Sequence, residues 1–167
     1  MQNHFLFKKQ SRHWFHNTPF RMTRRFILLI LLLTFSLGQE ADSLLRKTFP
    51  LSPKIHHRPP WPFFNGRPYH LEVFSDLAEK DVESLTIFFR TDQTLEYREI
   101  GLEHYRGRYR FKYDPTIYPG QEITYFFVAI LKNSGSHATP IDENGKLAPM
   151  ILQPIDPIKY YESIMPR

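Results

Sequence analysis

Histidine, serine, aspartate and glutamate are the side chains of this 167-residue chain with the means to do chemistry, and their spacing decides whether they can act together. His56 and His57 are the nearest approach to a metal-ligand pair. Adjacent residues of an extended segment point to opposite sides, so the two are poor joint ligands, and a structural or solvent-facing role is expected. His70, His104 and His137 stand alone in the sequence. Serine is present without a nucleophile-elbow arrangement, and the seven glycines form no phosphate-cradling loop. Asp142-Glu143 opens the turn-like stretch Asp142-Glu-Asn-Gly145, where such residues are ordinary. With no cysteine, there is no thiolate nucleophile, no Cys-ligated zinc, no disulfide and no lipidated cysteine. The expectation is a protein that is not an enzyme and uses no cofactor or metal.

The elements that would carry these residues are strands. Tyr69 to Ser75 places Leu71 and Val73 on one face, and Ser84 to Thr91 does the same with Leu85, Ile87 and Phe89. Asp92-Gln-Thr94 turns into Leu95 to Ile100. Gly107 to Tyr113 alternates Tyr109, Phe111 and Tyr113 against Arg108, Arg110 and Lys112. Pro119-Gly120 then leads into the long apolar strand Ile123 to Leu131. Weaker strands are expected near His137 to Ile141 and Leu147 to Gln153, with Asn144-Gly145 suiting a positive-φ turn between them. Period-two alternation punctuated by turns is the pattern of an all-β domain, and no segment shows a convincing helical period.

Charge separates the ends of the chain. Lys8, Lys9, Arg12, Arg21, Arg24 and Arg25 stand in residues 1–38 without an acidic residue, leaving 16 basic against 17 acidic residues in the remainder. A body of net charge −1 lacks the footprint that nucleic-acid binding requires. Residues 1–38 have the order of an export signal: basic Arg21, Arg24 and Arg25, the apolar run Phe26 to Phe35, then small residues at Ser36 and Gly38. The run is short of the roughly 20 residues of a full membrane crossing, which favours a cleaved signal; membrane attachment would come only from an uncleaved segment. If Met22 is the true start, the basic region has ordinary length. The exported chain would be periplasmic or secreted.

Residues 39–67 are expected to form a linker or arm, because Pro50, Pro53, Pro59, Pro60, Pro62 and Pro68 exclude regular helix and central strand. The arm is either a stiff spacer or a segment that folds Trp61, Phe63 and Phe64 back onto the domain. The domain itself spans 68–155, and 156–167 is a tail.

The strands Leu85-Thr-Ile-Phe-Phe-Arg-Thr91 and Gly107-Arg-Tyr-Arg-Phe111, with Pro119-Gly120 leading to Tyr125, Phe127 and Ala129, resemble the immunoglobulin-like and fibronectin type III-like modules of exported bacterial proteins. The resemblance covers about residues 68 to 155. It implies an immunoglobulin-like antiparallel β-sandwich in which Ser84 to Thr91 neighbours Ile123 to Leu131, and it says little of function. Two departures stand out. The family's corner tyrosine falls at Ile123, so that bond is missing, and Gly135 comes one residue late, so the last strand pair is expected to be shifted or bulged.

Two surfaces follow. Alternation puts Ile123, Tyr125, Phe127, Ala129 and Leu131 in the core, leaving Phe126, Val128 and Ile130, joined by Phe88, on the other face of the sheet. An apolar patch of that size is expected to dock a protein partner or the chain's own arm or tail. Replacing Phe126 and Ile130 by Ser should then spare the fold and abolish docking. The second surface is the basic stripe Arg108, Arg110 and Lys112, read as a solvated face balanced by Glu96, Glu99 or Glu103 and discouraging edge-to-edge pairing, or as a grip for an anionic partner. The function expected is a non-catalytic interaction or structural module of the cell envelope or secreted space. The alternative is a carbohydrate-binding accessory module resembling glycogen-binding domains, although the sandwich supplies no tryptophan for a glycan to stack on.

Overall fold

The computed structural model describes residues 39–165; the proposed signal at 1–38 and the last two residues lie outside them. Nine strands run in chain order: β1 (Ile55–His57), β2 (Tyr69–Ser75), β3 (Val82–Thr91), β4 (Arg98–Gly101), β5 (Glu103–Tyr105), β6 (Arg108–Tyr113), β7 (Ile123–Leu131), β8 (Ser136–Thr139) and β9 (Met150–Leu152). Helices α1 (Gln39–Arg46) and α2 (Pro157–Ile164) flank them.

All named pairings are antiparallel, and they make two sheets. One has the order β1-β2-β6-β5; the other has β4-β3-β7, with the far edge of β7 shared by β8 and β9. The inner faces meet in one apolar core: Leu71 and Val73 of β2 and Tyr109, Phe111 and Tyr113 of β6 lie against Leu85, Ile87 and Phe89 of β3 and Ile123, Tyr125, Phe127 and Ala129 of β7. The period-two pattern is the cause, since a strand that alternates aromatic and charged residues, as β6 does, can bury only one face. The chain is thus predominantly β, with two packed antiparallel sheets.

Several local features differ from the sequence-based expectation. Helices form where none was expected: α1 is only two turns long, so its Ala41, Leu44 and Leu45 never repeat often enough to reveal a period. Helix α2 is announced instead by its start, where the Asp156 carboxylate accepts from the Ile158 N–H at 2.9 Å and Pro157 opens the first turn. The β7–β8 pair is in regular register from Phe127↔Thr139 to Ile130↔Ser136; the irregularity falls in β3, between Val82 and Ser84. The expected hairpin of the last two strands forms only an isolated bridge, Ile141↔Leu147, because β8 and β9 each pair with β7 instead. The corner bond missing at Ile123 has a substitute nearby: the buried Tyr113 hydroxyl donates to the Tyr118 carbonyl at 3.0 Å and ties down the loop before β7.

The proline-rich segment is packed onto the sandwich. Ile55 and Phe63 lie within the main core, β1 adds an edge strand to β2, and Ile155 bonds both Phe63 and Asn65 through the backbone at 2.7 and 3.1 Å. Prolines leave an edge strand possible, since only one side of it pairs. Trp61 is left 74% exposed. Phe64 is buried, with the rings of Tyr160 and Tyr161 within 6 Å of its own, so the C-terminal helix sits on the arm.

Candidate functional site

The outer face of the β3–β7 sheet is occupied by the chain itself. Phe88 and Phe126, paired in register, stack with ring centroids 5.1 Å apart, and both are buried together with Val128. Their cover is Ala41 of α1, Phe49 and Leu147, flanked by Leu44, Leu45, Tyr97 and Ile141, in a second apolar cluster. It is neither Trp61, Phe63 and Phe64 nor the tyrosines of the tail. A clamp holds it: the Phe49 N–H donates to the Gly145 carbonyl at 2.7 Å, and Thr48 bridges Lys146. Ile130, beyond the cover, remains 40% exposed. The serine substitution expected to spare the fold therefore has to be revised at Phe126, where it would place a hydroxyl in a sealed apolar layer.

The basic stripe lies on the outer face of the other sheet, on β6, an interior strand flanked by β2 and β5. Protection of a sheet edge is thus not its role. Register sets out the face in rows. His56, Phe74, Arg108 and Tyr105 form one row across four strands; Glu72, Arg110 and Glu103 form the next; His70 and Lys112 form a third. Glu72 is the acidic partner of Arg108, Glu103 stands opposite Arg110 in register without forming an ion pair with it, and Glu99 belongs to the opposite sheet. Arg108 donates to the Glu72 carboxylate at 2.7 Å and lies 5.8 Å from the Phe74 ring centre. Arg110 lies 3.7 Å from the centre of the Tyr105 ring, with Arg106 on the same ring at 5.2 Å. Arg106 and Gly107, both at positive φ, make the two-residue turn that brings β5 back alongside β6. Lys112 reaches Asp114 only at 4.0 Å.

Phe74 is 48% exposed and Tyr105 38%, and register places both on one face with Arg108 between them on β6. Phe74 and Tyr105 are two strand spacings apart, roughly 10 Å. Sequence reasoning found the cations and missed the aromatics. Strand β5 is only three residues long, and the outward direction of Phe74 follows from Leu71 and Val73 facing in.

His56 and His57 diverge as expected of neighbours in a strand. His56 turns outward to Asp76, 2.9 Å away. His57 turns inward, its Nδ1 2.6 Å from the Glu72 carbonyl and its Nε2 2.8 Å from the Tyr125 hydroxyl. A carbonyl only accepts, so Nδ1 carries the proton and Nε2 accepts from Tyr125. Burial lowers the His57 pKa below its ordinary value, against the opposing pull of the Glu72 carbonyl, and burial pushes the Tyr125 hydroxyl well above its own. The pair joins the two sheets. Among the described residues, no three His, Asp or Glu side chains gather to hold a metal ion, and no helix is long and apolar enough to cross a membrane.

Neither the protein-family models nor the curated proteins compared with this sequence match it.

Proposed function

We propose that this chain is an exported, non-catalytic module of immunoglobulin-like type whose work is to hold a protein partner on the outer face of its β1-β2-β6-β5 sheet. The observation that carries the reading is the row Phe74–Arg108–Tyr105: two exposed rings flanking an arginine whose position is set by Glu72. Tyr, Phe and Arg are the residue types enriched at the centres of protein interfaces. Both signs of charge occur in the adjacent row, which suits a protein surface of mixed charge better than a uniformly anionic polymer. The opposite sheet has its apolar face closed by residues 41–49, so it offers no comparable platform. The basic and apolar order of residues 21–38 supports export.

A photo-crosslinking side chain at position 74 in living cells tests this. It should capture one defined protein, while the same group at Ile117, an exposed loop position, should not. Tyr105→Ala in the chain that carries the crosslinker at position 74 should abolish capture and leave the unfolding midpoint unchanged. Equal capture from both positions sinks the idea, and retention of a neutral glycan by Phe74 and Tyr105 would move the role to the carbohydrate-binding alternative.

A further inference from the structure

At one end of the sandwich, where β3 and β9 finish and β7 begins, the chain forms an open groove of about 570 Å³ lined by Asn65, Asp92, Gln121, Glu122 and Gln153. The groove is open to solvent: Asn65, Asp92, Gln121 and Gln153 are exposed and Glu122 is half-buried. Its chemistry is narrow: carboxylates and carboxamides, with no lysine or arginine in the lining.

These groups are set in place by the fold. The Asp92 carboxylate accepts from the Gln121 N–H at 2.8 Å, and the Asp92 N–H donates to the Glu122 carbonyl at 3.2 Å. The Gln153 amide donates to the Glu122 carboxylate at 3.2 Å, and the Asn65 backbone is held by Ile155. Gly120 permits the close approach of the turn, since a Cβ there would stand 2.5 Å from Asp92 Oδ1 and 2.7 Å from Thr91 Cβ. Each carboxylate keeps acceptor capacity beyond the bond described, and each carboxamide offers both a donor and an acceptor.

We propose that this groove binds a neutral carbohydrate, a site separate from the sheet face and independent of the role assigned to it. Sugar hydroxyls on neighbouring carbons donate to carboxylates while accepting from amide NH₂ groups, which is the pairing these five side chains can supply. An anionic ligand would meet Asp92 and Glu122 with no cation in the lining to offset them. An apolar ligand would leave fixed polar groups without partners. Recognition here would proceed through hydroxyls at the sandwich end, without ring stacking.

Isothermal titration of the full chain with cellotriose and with maltotriose, calcium chelated, should show saturable millimolar binding of at least one of them. Gln153→Ala and Glu122→Gln should each weaken it about tenfold or more, ~1.4 kcal/mol per tenfold. Phe74→Ala with Tyr105→Ala should leave it unchanged. If either groove variant lowers the unfolding midpoint, the wild-type side-chain amide resonances of Asn65, Gln121 and Gln153 give a second readout and should shift with the trisaccharide. The inference is overturned by no saturable binding, by amide resonances that stay fixed, by binding lost only in the sheet-face variant, or by binding that requires calcium. None of these outcomes changes the crosslinking result at position 74.

Discussion

Phe126 and Ile130 lie on the same face of the same strand, and their environments are opposite. Phe126 has no exposed surface and a stacked neighbour, so Phe126→Ala should cost about 3–5 kcal/mol, as for other buried aromatic truncations. Ile130→Ser, at a site 40% exposed, should change stability by about 0.5 kcal/mol or less in urea unfolding. Equal costs at the two positions would show that the cover does not discriminate between them. His57 gives a pH signature. Its pKa is lowered in the folded state, so below the ordinary value of 6.5 the unfolded chain takes up a proton that the folded chain resists. That contribution is complete above pH 6.5 and declines as the pH falls toward the folded value. His137, lowered by burial and then by Lys54, acts in the same direction. The unfolding midpoint should therefore drop on acidification from pH 6.5, before most carboxylates titrate, and His57→Gln should flatten the slope. At this scale alternation was a sound guide to Tyr125 and Phe127, because the strand period fixes which side chains share a face. It was silent on Phe126, because the period does not tell what covers the second face.

Among the elements, the long strands were fully legible, β4, β8 and β9 were expected in outline near residues 95–100, 137–141 and 147–153, and β1 and β5 were missed. β2, β3, β6 and β7 each carry enough alternating residues to declare a face, whereas β1, β5 and β9 have three residues each and depend on neighbours for their pairing. Helix α1 was hidden for the same reason. Its seat depends on one turn: Gly145 has φ +76°, and a side chain there would collide with the Phe49 carbonyl. Gly145→Ala should therefore strain the turn and loosen the cover, at roughly 1–3 kcal/mol. Hydrogen exchange should show faster exchange of the Phe49 amide, while that of Tyr113 in β6 keeps its protection. Unchanged protection at Phe49 would mean that the clamp contributes little.

For the molecule as a whole, residues 39–67 belong to the folded body. A fragment of residues 68–167 would lack β1, Phe49, Ile55, Phe63 and Phe64, and would expose Phe88, Phe126 and Val128. It should bind a hydrophobic dye and unfold without a cooperative transition, whereas a fragment of residues 39–167 should melt sharply by calorimetry. A sharp transition in the shorter fragment would show that the arm is dispensable. The wider architecture was legible because paired sheets need only alternation and turns. The arm was not, because proline tells what a segment cannot form and leaves open where it packs. The hydrogen bonds that seat this arm come from the other end of the chain: Gly145 holds Phe49, and Ile155 holds Phe63 and Asn65. During synthesis, then, the first residues of the body wait for almost the last ones, and a nascent chain halted before residue 155 has no finished structure to protect. Contacts so distant in sequence also make folding slow. Until residue 155 has been made the polypeptide therefore stays threadable, a property that the export proposed for it would use.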